Sequence, residues 1–154
     1  MDTDWLKEDF TQDVVAPTSS AVGSRSAAAL RAVVAQFAVA TARRYAKRDV
    51  TGDGKAETFC NTYARDVLAA LGCLIPRMLS NQLAGWFMKA SATSAWTQVR
   101  PWVARELAQA GFPVVAIWEN PNGPTGHIAV LVPSRDELDR ETTHVSQAGA
   151  VNFE

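Results

Sequence analysis

The hydrophobic period of this chain changes once, near residue 111, and that change limits the folds open to it. Upstream of it, apolar residues recur three and four apart; downstream, short apolar runs are separated by Gly, Pro and Asn. From Ser26 to about Lys47, Leu30, Val33, Val34, Phe37, Ala38, Thr41 and Tyr45 share one helical face. Tyr63, Ala64, Val67, Leu68 and Leu71 repeat the pattern, and Gly72 is a natural stop. A third helix opens at Ser80 and runs from Asn81 to about Ala90, with Leu83, Trp86 and Phe87 on its apolar side. After a Ser/Thr-rich link at 91–95, Pro101 suits the first turn of a fourth helix, Trp102–Ala110, which Gly111 closes. Strands follow at 112–118, 127–132 and 144–151, joined by a Pro/Gly/Asn turn at 119–126 and a charged loop at 134–143. Helices first and an antiparallel sheet after them predict an α+β fold.

With 154 residues the chain is expected to form one domain from residue 26 onward, preceded by an irregular leader over 1–25. A formal net charge of −1 with no basic block argues against nucleic acid as a partner. Arg43, Arg44, Lys47 and Arg48 read as the solvated end of the first helix. The acidic start, Met1 to Asp9, lacks the apolar core of a secretory signal, and no stretch is long enough for a membrane span. If the substrate lies outside the cytoplasm, delivery by a route other than general export is expected.

Two cysteines are too few for a disulfide scaffold or a zinc cluster. Cys60 and Cys73 are thirteen residues apart on what reads as one helix. That is roughly 20 Å of rise, beyond the roughly 7 Å a disulfide spans. Cys73 reads as a buried small hydrophobe. Cys60 differs: with Thr58 as N-cap it becomes the second helical residue, where the helix dipole favours thiolate over thiol. Just before it, Asp49, Thr51, Asp53 and Gly54 match positions one, three, five and six of a calcium loop. Position twelve, which needs a bidentate Glu, is Cys60, so the segment reads as a Gly-rich turn and no metal or other cofactor is expected.

A helix-borne cysteine becomes a nucleophile for acyl transfer when an imidazole balances its proton. His127 follows Gly126 at the head of an apolar strand and is the expected partner; His144 sits at a loop-to-strand junction and is expected to be exposed. Pairing Pro133 with Thr143 sets His127 opposite Gly149 and brings Val145, Gln147, Gly149 and Val151 onto its face. Gln147 is the polar side chain of that set and the expected third member. A slip of one residue would offer Asn152 instead. The Cys60 backbone N–H is the nearest oxyanion donor, Asn61 a side-chain candidate, and Trp86 and Trp118 candidate walls of a substrate groove.

The fragments Phe59-Cys60-Asn61, Asp66-Val67, Leu71-Gly72, Ile75-Pro76-Arg77 and Gly126-His127-Ile-Ala-Val-Leu-Val together resemble the NlpC-type and CHAP branch of papain-like cysteine peptidases and amidases. Within that branch the likeness is to phage cell-wall hydrolases and type VI secretion amidase effectors. The resemblance covers about residues 45–152. It implies a papain-like catalytic domain that hydrolyses an amide bond in stem peptides or cross-links of bacterial peptidoglycan. An immunity protein or delivery machinery would be a further partner, with action in the periplasm or cell wall after phage-type or secretion-system delivery. Two other readings stand beside it: a thiol acyltransferase or hydrolase acting on lipid or protein amides, and a non-catalytic binding module on the same scaffold. Iodoacetamide at neutral pH is expected to modify Cys60 before Cys73; peptide mapping that finds Cys73 labelled first would remove Cys60 as the nucleophile.

Overall fold

The computed structural model describes residues 25–92, 96–123, 125–135 and 142–153. The leader expected over 1–25 lies outside the described residues except for Arg25, as do parts of the 91–95 link and the 134–143 loop. The strands are β1 (Val115–Trp118), β2 (His127–Val132), β3 (His144–Ala148) and β4 (Asn152–Phe153), and they form one antiparallel sheet in that order. Among the described residues, four α-helices accompany it: α1 (Ala27–Ala35), α2 (Cys60–Ala70), α3 (Ser80–Ala92) and α4 (Pro101–Gln109). The architecture is therefore α+β.

The centre of the fold is β2. Ile128, Ala129, Val130 and Leu131 are buried in succession, so both of its faces are covered. All four helices pack against it. A strand covered on both sides needs a continuous apolar run, which is what this segment carries. The outer strand β1 alternates half-buried and exposed residues, as an edge strand does.

Several helix ends follow from local chemistry. Ser26 caps α1 by accepting from the Ala29 N–H at 3.1 Å. After α2 the chain closes with paired reverse bonds, Gly72 N–H to Ala69 O at 3.0 Å and Cys73 N–H to Leu68 O at 2.8 Å. Gly72 takes φ +78 there, a conformation that costs glycine nothing.

Other expectations need correction. The first helix does not continue to Lys47 but ends at Ala35. Phe37 and Val39 are both buried, and on a helix they would point about 200° apart. The chain therefore breaks at Ala38, at φ +44, and continues to a short 3-10 turn, Arg43–Tyr45. The third strand stops at Ala148 rather than Val151, and β4 folds back so that Gln147 pairs with Phe153 and Ala148 with Asn152.

The basic cluster is not the end of the first helix, and only Arg43 and Lys47 of it are exposed to solvent. Arg44 is buried and holds Asp66 through Nε at 2.7 Å and Nη2 at 3.1 Å. The Tyr45 hydroxyl donates to the same carboxylate at 2.8 Å. Burial first, then the neighbouring Asp66 charge, push the Tyr45 phenol above its ordinary range. Arg48 donates to the carbonyls of Arg43, Arg44 and Ala46 and lies over the Phe59 ring at 4.2 Å. Removing one partner of a buried ion pair strands the other charge. Asp66→Ala is therefore expected to cost about 3 kcal/mol or more of unfolding free energy, read as a lower urea midpoint at unchanged slope.

Candidate active site

Cys60 is delivered by a closed turn. Arg48 and Glu57 exchange backbone hydrogen bonds at 3.2 and 2.9 Å, pinching off the Gly-rich segment between them. Within it the Asp49 carboxylate accepts from the N–H groups of Thr51, Gly52 and Gly54, and Glu57 accepts from the Val50 N–H and the Thr51 hydroxyl. One carboxylate oxygen from each of Asp49, Asp53 and Glu57 thereby comes within 4.8 Å of the other two, Glu57 being position nine of the calcium-loop match and not the missing position twelve. The turn hands the chain to Phe59, which is the N-cap in place of the expected Thr58. Cys60 is accordingly the first helical residue, not the second. The Phe59 side chain makes no cap hydrogen bond, so among the described residues the N-cap itself leaves the first N–H groups of α2 to other partners.

The β2–β3 ladder pairs Val130 with Ser146, Leu131 with Val145 and Val132 with His144. This is the register that opposing Pro133 and Thr143 demands. It carries on to set His127 beside Gly149, where a Cβ would lie 3.2 Å from His127 Cε1 and 3.3 Å from Gln147 Nε2. Gly149 thus leaves room for the imidazole and the amide to meet. His127 Nε2 lies 2.6 Å from Gln147 Oε1. Gln147 Nε2 donates to the Val151 carbonyl at 3.3 Å, which orients the amide oxygen toward the ring. The amide oxygen only accepts, so Nε2 carries the hydrogen and Nδ1 is the nitrogen left for Cys60.

Among the described residues, three groups reach the Cys60 sulfur. They are the His127 ring, the Ser80 hydroxyl at 3.3 Å and the Ile128 backbone N–H. Burial pushes the thiol up, but the His127 hydrogen bond and then the Ser80 and Ile128 contacts outweigh it, leaving the thiol below its ordinary value. His127 moves the other way. The Cys60 hydrogen bond raises its pKa most, burial opposes, and Gln147 adds to the rise. Both directions favour a thiolate–imidazolium pair.

The His127 turn is held from α3. Asn81 donates to the carbonyls of Asn120 at 3.0 Å and Gly123 at 2.7 Å, and accepts from the Asn120 N–H at 2.8 Å. Gly126 has no space for a side chain, since a Cβ would fall 2.1 Å from the Trp118 carbonyl oxygen. The first two residues of α3 therefore touch both halves of the site: Ser80 meets the sulfur and Asn81 fixes the turn before the histidine. Neither stood out in the sequence, where Ser80 read only as a helix opener.

Three sequence candidates fall elsewhere. Asn61 is buried and donates to the Met78 carbonyl at 2.8 Å, so its amide anchors the 76–79 segment rather than pointing a free donor at the sulfur. Asn152 donates to the carbonyls of Val39 at 3.1 Å and Tyr45 at 2.8 Å, which removes the alternative third member. Trp86 packs edge-on against Phe87, itself edge-on to Trp96, and belongs to the rim of the core rather than a groove wall. Trp118 remains beside the site: it pairs directly with His127 across β1 and β2 and is 58% exposed. His144 lies at the far end of the β2–β3 ladder, half-buried rather than exposed. Cys73 is half-buried against the core.

No family model, curated protein or solved structure matches this chain. Gln147→Ala removes one support of the imidazolium. It is expected to lower turnover tens-fold and to move the alkaline limb of the pH–rate profile to lower pH, because His127 loses a bond that raises its pKa. An unchanged limb with full turnover would leave Gln147 without a role.

Proposed function

We propose that this protein is a papain-like, cysteine-dependent peptidoglycan hydrolase that cleaves an amide bond in stem peptides or cross-links. The observation that carries the reading is the line from Cys60 through His127 to Gln147, with the sulfur on the first residue of a helix. The choice of peptidoglycan as substrate rests on the likeness of the Cys60 and Gly126-His127 segments to the NlpC and CHAP enzymes.

In this reading the Cys60 thiolate attacks the carbonyl carbon, a C–S bond forms, and the carbonyl π pair moves to oxygen. The first N–H groups of α2, including that of Cys60, meet that oxygen. The His127 imidazolium gives its proton to the amine nitrogen as the C–N bond breaks, leaving a thioester. Water then attacks the thioester, His127 takes its proton, and the thiolate leaves. Gln147 holds the ring through Nε2 throughout. As a neutral amide it supplies a dipole where an Asp would supply a full charge. Trp118, exposed beside His127, is the surface on which substrate would lie.

Purified peptidoglycan digested with the wild-type protein should release soluble fragments, identified by mass spectrometry, and Cys60→Ala should release none. Digestion that survives Cys60→Ala would refute the reading, and loss of digestion with retained turnover of small thioesters would favour an acyltransferase. A bell-shaped profile of kcat/KM is expected. Its acid limb falls below the ordinary thiol range of about 8.5 and its alkaline limb above the free imidazole value of about 6.5.

A further inference from the structure

The position of Ser80 is not accounted for by a Cys–His–Gln line. It is the first residue of α3, only 4% exposed, and its hydroxyl lies 3.3 Å from Cys60 Sγ. A buried hydroxyl is costly to leave unbonded, and by geometry either atom of this contact can be the donor. A neutral thiol has one weak donor hydrogen and is a poor acceptor. Here the sulfur faces a ring nitrogen, a hydroxyl and a backbone N–H, contributed by two different elements. With His127 as imidazolium all three groups donate to the sulfur, which then sits in the surroundings of a thiolate. A thiol hydrogen aimed at Ser80 would leave the Ile128 N–H facing a weak acceptor and Nδ1 of a neutral His127 with no hydrogen to receive.

We propose that Ser80 is a further catalytic residue of this site, its hydroxyl donating to the Cys60 sulfur and holding it as thiolate before attack. The proposal rests on Cys60 being the nucleophile, as in the function proposed above. The serine keeps its proton: the thiolate pair forms the C–S bond, the carbonyl π pair moves to oxygen, and the proton given to the leaving amine comes from His127. The placement also ties the nucleophile to the base through one short segment. Asn81, next in sequence, binds the 120–123 turn that precedes His127, so α3 fixes sulfur and imidazole in one frame.

A donor to a thiolate has two opposed effects. It enlarges the thiolate fraction at a given pH and lowers the reactivity of each thiolate. Loss of Ser80 should therefore shift the pH at which Cys60 becomes reactive without lowering the rate reached at high pH. A merely structural residue would lower that limiting rate or leave the midpoint alone. Among the described residues, the ionisable group facing Cys60 is His127 of β2, and neither Ser80 of α3 nor the Ile128 N–H titrates in the same range.

The test is the rate of iodoacetamide alkylation at Cys60 in the full chain, followed by peptide mapping between about pH 4 and pH 10, a span that brackets the ordinary imidazole and thiol values. For Ser80→Ala the midpoint is expected to rise by about one pH unit, a roughly tenfold loss of thiolate on the acid side, with a limiting rate equal to or above wild type. Ser80→Thr keeps the hydroxyl and is expected to retain the wild-type midpoint. It also supplies the answer should the alanine protein fail to fold. A Ser80→Ala midpoint at or below wild type, or a Ser80→Thr midpoint displaced upward by a full unit, would overturn the assignment. No substrate enters this measurement. A wild-type protein that leaves peptidoglycan intact would thus count against the proposed function and not against the role of Ser80.

Discussion

The pairing of β2 with β3 is the constraint on which the site depends. Side chains alternate along a strand, so a slip of one residue would turn Gln147 away from His127 and bring Ser146 in its place. Burial prevents the slip. Ser146 and Ala148 are fully buried, and the Ser146 hydroxyl meets the Tyr63 hydroxyl inside the core at 2.5 Å. Moving these residues to the other face would expose the apolar side of β3 and leave the Tyr63 hydroxyl without that partner. The same register puts Gly149 beside His127, where any side chain would press on both the ring and the amide. Core packing and site geometry are thus set by one alignment.

The sulfur shows how burial and polarity are balanced. Cys60 is 3% exposed, and desolvation alone would keep its thiol protonated. The reversal comes from groups held in place before any substrate arrives: a ring oriented from behind by Gln147, a hydroxyl at the start of α3 and a strand N–H. The ring and the N–H belong to β2 and the hydroxyl to α3, which packs against it, so none has to be ordered at the moment of reaction. Such preorganisation is what makes a buried polar site effective rather than merely costly.

Polar side chains also tie the irregular segments to the core. Asp66 gathers Arg44 and Tyr45, which brings the 3-10 turn against α2. Asn152 binds the carbonyls of Val39 and Tyr45, joining β4 to the same region. Asn61 binds the Met78 carbonyl and Asn81 binds the 120–123 turn. The three asparagines each satisfy backbone carbonyls of a connecting segment with a partly or fully buried side chain, whereas Asp66 joins two side chains of the 3-10 turn to α2.

Much of this was legible in the residue order, for reasons of local physics. The 3.6-residue period defined α2 and α4, Gly72 and Gly111 marked where they end, and the apolar run of β2 marked a strand. Strand parity alone placed Gln147 next to His127, because a period of two leaves few choices once one pair is aligned. What only the tertiary structure decided were contacts between segments distant in sequence. The break at Ala38 follows from the burial of both Phe37 and Val39, which local periodicity does not weigh. Arg44 looked like a helix-end charge until Asp66 stood opposite it. Asn61 and Asn152 looked like site residues until backbone carbonyls claimed them. Ser80 became part of the site when the first turn of α3 settled beside the sulfur, twenty residues along the chain. Local propensity specifies elements and their ends, whereas the partner of a buried polar group is chosen by packing.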